Sequence, residues 1–252
     1  MLTKPWAVMR LVRTMARFSW ILLVAALVLP GKPAEVRLRY KARWCGQLLR
    51  SLGVRLAVQG DTTARGLIVA NHISWLDILT INYLTPASMV AKAEIRQWPL
   101  VGWISDSLGT LFMERGSRSA AQKAREQLLA ELRAGSSVGV FPEGTTSLGT
   151  SVLPFHGALF QAAIDAPAAV IPVVLHYTDA LGKPVAEAAY VGETSFWQSA
   201  LAIVAVKDLV AHANYLPAID SRDYDRRHLA HHCHQLIAHQ LAANLHAAGH
   251  PD

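Results

Sequence analysis

GLIVANHISWLD (66–77) is the stretch that decides the fold class. Gly66 to Ala70 form an unbroken small and apolar run, the composition of a strand buried on both faces. The run breaks at the polar pair Asn71-His72, and Ser74-Trp75-Leu76-Asp77 opens a helix. Ser74 is expected to cap that helix, with Asp77 in its third position in a capping-box-like arrangement. Outward from here, apolar runs at 54–58, 88–92, 109–114, 136–141 and 168–175 predict further strands. Helices are expected near 75–83, 118–134 and 157–166. In 118–134, Ala121, Ala124, Leu128 and Leu132 share a face, Ser117 is placed to cap, and Gly135 supplies the stop. Further elements are expected at 186–191, 195–211 and 224–247. Apolar strands alternating with helices specify an α/β fold, a mostly parallel mixed sheet flanked by helices.

The chain of 252 residues is 52% hydrophobic and 17% charged, with mean hydropathy +0.24. That excludes disorder, and the chain lacks the repeated long apolar runs of a polytopic membrane protein. Two cysteines, Cys45 and Cys233, exclude a disulfide framework and a thiolate zinc cage, and fit a reduced, cytosol-facing location.

The net charge of +6 is unevenly placed. Residues 1–50 hold ten Lys and Arg against the single acid Glu35, so the remaining 202 residues hold 14 basic and 17 acidic groups. A slightly acidic body argues against nucleic acid as a partner. The basic N-terminal part suits anionic lipid headgroups.

Between Arg17 and Lys32 lie 14 uncharged residues, FSWILLVAALVLPG. As a helix they measure roughly 20 Å, short of a hydrocarbon core of about 30 Å. A cleaved signal would need a small-x-small site, yet Pro-Gly-Lys-Pro follows Leu29. A short span would need snorkelling flanks. An interfacial anchor fits the length, the basic flanks, and Trp6 and Trp20. Residues 34–52 continue as a basic amphipathic helix with Val36, Tyr40, Trp44, Leu48 and Leu52 four apart. The expected organisation is therefore N-terminal membrane-anchoring helices over 1–52 and an α/β domain over 53–252.

In such a sheet, functional residues collect where strands run into loops at their carboxyl ends. His72 stands at one such end, five residues before Asp77. The carboxylate could hold Nδ1–H and leave Nε2 as a general base, as in the His–Asp half of a triad. No serine elbow is present, so the base would activate a hydroxyl on the substrate. VGVFPEGTTS (138–147) brings Pro142, Glu143, Gly144 and Thr145 to the same rim, where backbone N–H groups and a carboxylate suit polar substrate groups. GTLFMERGS (109–117) delivers Arg115, a phosphate clamp or a surface charge. VIPVVLHY (170–177) is a buried strand interrupted by Pro172.

Together these blocks resemble the lysophospholipid (glycerolipid) acyltransferase family. The family's N-H-x-S-x-x-D is Asn71 to Asp77, its strand ending in Arg ends at Arg115, its F-P-E-G-T-R-S is Phe141 to Ser147, and its V-I-P-V strand is Val170 to Val173. The blocks fall in the family's order over about residues 54–180. The resemblance implies His72 as the base on the acceptor hydroxyl and Asp77 as the group that orients it. The hydroxyl attacks the thioester of acyl-CoA or acyl-carrier protein. Asn71, Arg115, Pro142, Glu143, Gly144 and Thr145 would line the acceptor site. It implies no metal and no tightly bound cofactor. The implied product is phosphatidate, made from 1-acyl-sn-glycerol 3-phosphate at the cytoplasmic face of a bacterial inner membrane. One departure stands out: Thr146 replaces the arginine of the third block, which removes a bidentate phosphate partner. The Thr form resembles a branch that includes lyso-ornithine lipid acyltransferases, the alternative acceptor class.

The C-terminal histidines include His228 and His232 at i, i+4. Leu229, Cys233, Leu236 and Ile237 make the apolar stripe, which leaves the histidines on a solvated face rather than in a metal site. A lipid-binding module that has lost its chemistry is the competing class. Intact His72, Asp77, Arg115 and Glu143 argue against it.

Overall fold

The computed structural model describes residues 4–113 and 118–247. Helices α1 (Pro5–Val28) and α2 (Ala34–Leu52) lead into β1 (Arg55–Gln59), β2 (Leu67–Ala70), α3 (Leu76–Leu84) and β3 (Ser88–Lys92). Next come α4 (Val101–Ser107), β4 (Leu111–Met113), α5 (Arg118–Arg133), β5 (Val138–Val140) and α6 (Phe160–Asp165). The chain closes with β6 (Ala169–Thr178), α7 (Phe196–Ala205), β7 (Val210–Tyr215), β8 (Ile219–Asp220) and α8 (Arg226–Ala247).

Eight strands form one sheet in the order β1-β7-β6-β2-β5-β3-β4, with β8 pairing β6. The central strands β6, β2, β5, β3 and β4 are parallel to one another, while β7 and β8 run antiparallel to β6. The sheet is thus mixed and mostly parallel, with helices on it, as the alternating pattern predicts. The carboxyl ends of the five parallel strands share one edge. Buried Leu67, Val69, Val138 and Val170 pack on α5, α6 and α8, and Ile68, Ala70 and Ile171 pack toward α3.

Pro172 interrupts a central strand without breaking the ladder. Its partner on one side is Val69. On its other side β8 pairs only Ala169 and Val170, and pairing with β7 starts at Val173. The residue without an N–H therefore falls where the neighbouring strand changes. Its carbonyl still accepts the Leu216 N–H at 2.9 Å.

The single element expected over 195–211 is two. Ser195 and Gln198 form a reciprocal capping box that starts α7, which ends at Ala205, and β7 begins at Val210. His212 and Asn214 disguise this strand in the sequence because their polar groups are satisfied inside the fold. His212 Nε2 lies 2.8 Å from the Thr178 hydroxyl of β6 while its ring stacks on His176, and Asn214 Nδ2 donates to Asn244 of α8. Only a 3-10 turn, Ala186–Ala188, occupies the element expected at 186–191.

The N-terminal segment is also longer than its uncharged run. α1 has 24 residues, roughly 36 Å, which makes it long and apolar enough to cross a membrane by length and composition. Ala7, Ile21 and Ala25 are buried against the body, while Met9, Val12, Trp20, Leu23 and Leu27 form an exposed stripe. Two arginines of its basic part point inward. Arg10 Nη1 donates to the Val206 carbonyl at 2.6 Å, beyond the end of α7. Arg13 Nη2 donates to Arg50 and Ser51 at the end of α2. Each guanidinium satisfies carbonyls that a helix terminus leaves open. Gly53 ends α2 with φ 80°, and a Cβ there would lie 2.2 Å from the Arg10 guanidinium carbon.

Cys45 and Cys233 are both buried thiols. His228 pairs with Asp225 at 2.5 Å at the start of α8, and His232 stacks on Tyr224.

Candidate active site

β2 delivers Asn71 and His72 to the carboxyl edge, and the loop that follows folds back so that Asp77, in the first turn of α3, lies beneath the imidazole. His72 Nδ1 is 2.8 Å from Asp77 Oδ2. A carboxylate accepts there, so Nδ1 carries the proton and Nε2 is left with a free lone pair. The His72 side chain is 18% exposed and that of Asp77 is fully buried, so one edge of the ring alone reaches the site.

Asp77 supplies the acid half of the capping box expected with Ser74, while the serine half is missing. Its Oδ2 accepts the backbone N–H of Ile73 at 2.7 Å and of Ser74 at 2.8 Å. The Ser74 hydroxyl is buried with no hydrogen-bond partner, and α3 has Trp75 at its N-cap position. The Asp77 N–H that a Ser74 cap would accept donates instead to the Ser74 carbonyl at 3.1 Å, which leaves the hydroxyl unused. The remaining oxygen, Oδ1, accepts the Tyr177 hydroxyl at 2.5 Å.

The FPEG loop holds the histidine rather than standing apart from it. Phe141 stacks on the His72 ring with centroids 3.9 Å apart and planes 11° from parallel. Glu143 is buried; Oε1 accepts the His72 N–H at 2.7 Å and Oε2 accepts the Leu153 N–H at 3.1 Å. Burial pushes the Glu143 carboxyl up, against the two backbone donors that favour its charge. Ser147 N–H donates to the His72 carbonyl at 2.8 Å, and Tyr190 N–H donates to that of Ile73 at 2.9 Å.

Asn71 has no exposure, and its amide continues the β2–β6 ladder, giving to the Leu175 carbonyl and taking from the Leu175 N–H. Pro142 is buried and its carbonyl accepts the His156 N–H. Gly144 turns the loop at φ 68°, and Thr145 is exposed. The Thr146 hydroxyl is spent on the Tyr190 carbonyl. Arg115 lies outside the described residues.

Two features of the site escape sequence reasoning. Lys92, exposed, ends β3 at the same sheet edge, where the strand-end rule that selected Arg115 would also have found it. Tyr177 carries no local signal, being 100 residues from Asp77. Among the described residues no cluster of His, Cys, Asp and Glu is arranged to hold a metal.

Behind α3 lies a cavity of about 320 Å³ whose wall includes Trp75, Ile78, Leu79, Met89, Phe18 and Phe196, so it reaches from the helix bearing Asp77 to α1. Its wall also carries Lys41, whose ammonium is buried, donates to the Ala87 carbonyl at 2.9 Å, and is pushed down to about 8 by loss of hydration.

The acyltransferase family model matches residues 48–176, which contain all four sequence blocks. The chain is 34% identical to a lyso-ornithine lipid O-acyltransferase of Pseudomonas aeruginosa over 83% of this chain and 81% of that protein. It is 39% identical to a 1-acyl-sn-glycerol-3-phosphate acyltransferase of Neisseria meningitidis, over 64% of this chain and 63% of that one. The crystal structure of the 1-acyl-sn-glycerophosphate (LPA) acyltransferase of Thermotoga maritima shares the fold, with TM-score 0.60 and 20% identity over 92% of this chain and 96% of that one. A His–Asp pair held in the family's first block, inside a matched fold, leaves one assignment: the chain belongs to the acyltransferase family, the glycerolipid acyltransferases that its four blocks point to.

Proposed function

We propose that the protein moves a fatty acyl group from acyl-CoA or acyl-carrier protein to the free hydroxyl of 1-acyl-sn-glycerol 3-phosphate. The observation that carries this reading is the His72–Asp77 contact of 2.8 Å, which holds the proton on Nδ1 and leaves Nε2 as the basic nitrogen. Nε2 removes the acceptor's hydroxyl proton as the oxygen attacks the thioester carbonyl. The C–O bond forms, the tetrahedral adduct expels the thiolate, and the imidazolium returns the proton to sulfur. Asp77 keeps the imidazole in the Nδ1–H tautomer and balances its charge in the transition state. Asn71 and Glu143 serve by fixing the backbone on either side of His72, since their polar atoms are already occupied. Thr145, Gly144 and Lys92 belong to the rim that meets the acceptor headgroup, Arg115 is assigned to the same headgroup by its sequence block alone, and the apolar cavity behind α3 suits a fatty acyl chain. No metal or bound cofactor enters the reaction. The exposed stripe of α1 and the remaining basic residues of 1–52 support a site that works against anionic lipid, in our reading at the cytoplasmic face of the membrane.

A lyso-ornithine lipid acceptor is the second reading, and Thr146 favours it. A hydroxyl tied to Tyr190 gives no cation where the common pattern has a guanidinium. Acyl transfer measured with both acceptors decides between them. Transfer to neither would remove both.

A further inference from the structure

Asp77 Oδ1 has one partner, the hydroxyl of Tyr177, at 2.5 Å. We infer that Tyr177 is a positioning residue for the reaction, a third link behind the His72–Asp77 pair that sets how much charge Asp77 offers the imidazole. The inference rests on the acyl transfer proposed above.

β6 is ten residues long and runs past the end of β2, whose last ladder pair with it is Ala70 with Val173. The Asn71 amide extends that pairing by fastening to Leu175, which fixes the register of the overrun. Tyr177 follows two residues later on the same face, beneath α3. Its ring is buried with Leu76, Ile73 and Ile203. Burial and the Asp77 charge both keep the phenol protonated, so it acts as donor. An O–H to carboxylate contact of this length is charge-assisted.

The four donors divide the carboxylate. Two backbone N–H groups and the imidazole occupy Oδ2, and the phenol alone occupies Oδ1. Removing the phenol O–H leaves the anion less dispersed and turned more strongly on Nδ1–H. The imidazolium is then stabilised, and protonation silences the base at higher pH. Glu143 is the other titratable group beside His72, held by the backbone on the FPEG loop and untouched by a change at Tyr177.

Tyr177→Phe keeps the buried ring and deletes one atom. The expected result is a kcat lowered about tenfold with both KM values unchanged, and the acid limb of the kcat/KM profile moved up by about half to one pH unit. A ring-fluorinated tyrosine at 177, a stronger donor with the fold retained, should move that limb the other way. His72→Ala runs alongside: its full activity would remove the acyl-transfer reading itself. An inactive His72→Ala with acid limbs that coincide in wild type, Tyr177→Phe and the fluorinated protein overturns the role of Tyr177 alone.

Discussion

The Glu143 carboxylate binds the backbone of His72, not its ring: Oε1 takes the His72 N–H at 2.7 Å while Oε2 takes that of Leu153 at 3.1 Å. One acid of the FPEG loop thereby ties the exit of β2 to the segment after the loop, and Phe141 lies flat on the imidazole so positioned.

Glu143→Gln replaces one of those acceptors with an amide NH₂, leaving a backbone N–H in the site unpaired. The expected cost is about 1–3 kcal/mol, or a melting midpoint lower by roughly 2–4 °C per kcal/mol in a domain of this size. Turnover should fall by about two orders of magnitude, because small displacements of a catalytic base are expensive. Calorimetry and an acyl-transfer assay check both. Wild-type turnover in the variant would return Glu143 to the acceptor rim or to no role.

Acid stability should depend on His176. Its ring is buried against His212, and burial first, then His212, pushes it down to about 4 from 6.5. The folded state thus holds it neutral where the unfolded chain is protonated. Its contribution is complete above pH 6.5 and is lost as pH falls toward about 4. The loss is at most about 3 kcal/mol. His176→Phe keeps a stacked ring without the titration, so its melting midpoint should decline less than that of wild type across this window. An equal decline in both proteins would place the acid sensitivity elsewhere.

Membrane attachment should fail when the outer stripe of α1 is made polar. Leu23 and Leu27 are 50% and 74% exposed, so Leu23→Asp with Leu27→Asp disturbs no core contact. Each removes about 1.5–3 kcal/mol of apolar burial in lipid. Flotation with anionic vesicles should drop at least tenfold with the melting midpoint unchanged. Residual binding should be salt-sensitive through the basic residues of α2. Undiminished flotation in high salt would show that α1 is not the anchor.

Thr146→Arg distinguishes the acceptors. A guanidinium restored beside a phosphate should tighten lysophosphatidate or leave it unchanged, a charge-assisted contact being worth about 1.5–3 kcal/mol. For a lyso-ornithine headgroup, which carries an ammonium, it should help little or repel. Activity on the ornithine lipid alone, with the variant impaired, would make that the acceptor class.

The sequence disclosed the parts of this molecule that local chemistry specifies. A buried strand, a polar break and an acid on the next helical turn place His72 beside Asp77, because five residues across a strand–loop–helix corner permit little else. It misled where a polar group is satisfied at long range. His212 and Asn214 hid β7 because their partners come from β6 and α8. Arg10 and Arg13 read as a lipid-facing flank, yet they close the ends of α7 and α2. Ser74 has the right residue type for a cap, yet the Asp77 N–H goes to its carbonyl and its hydroxyl is left without a partner. Tyr177 was invisible because only the overrun of β6 past β2 brings it to the site.

The most direct test of acyl transfer at this site is turnover by His72→Gln, which preserves a polar side chain without a base. With lysophosphatidate or lyso-ornithine lipid and a long-chain acyl thioester, kcat should fall by about 10²–10⁴. The variant should still melt cooperatively and still float with vesicles. A folded His72→Gln protein that acylates either acceptor at the wild-type rate would contradict the assignment.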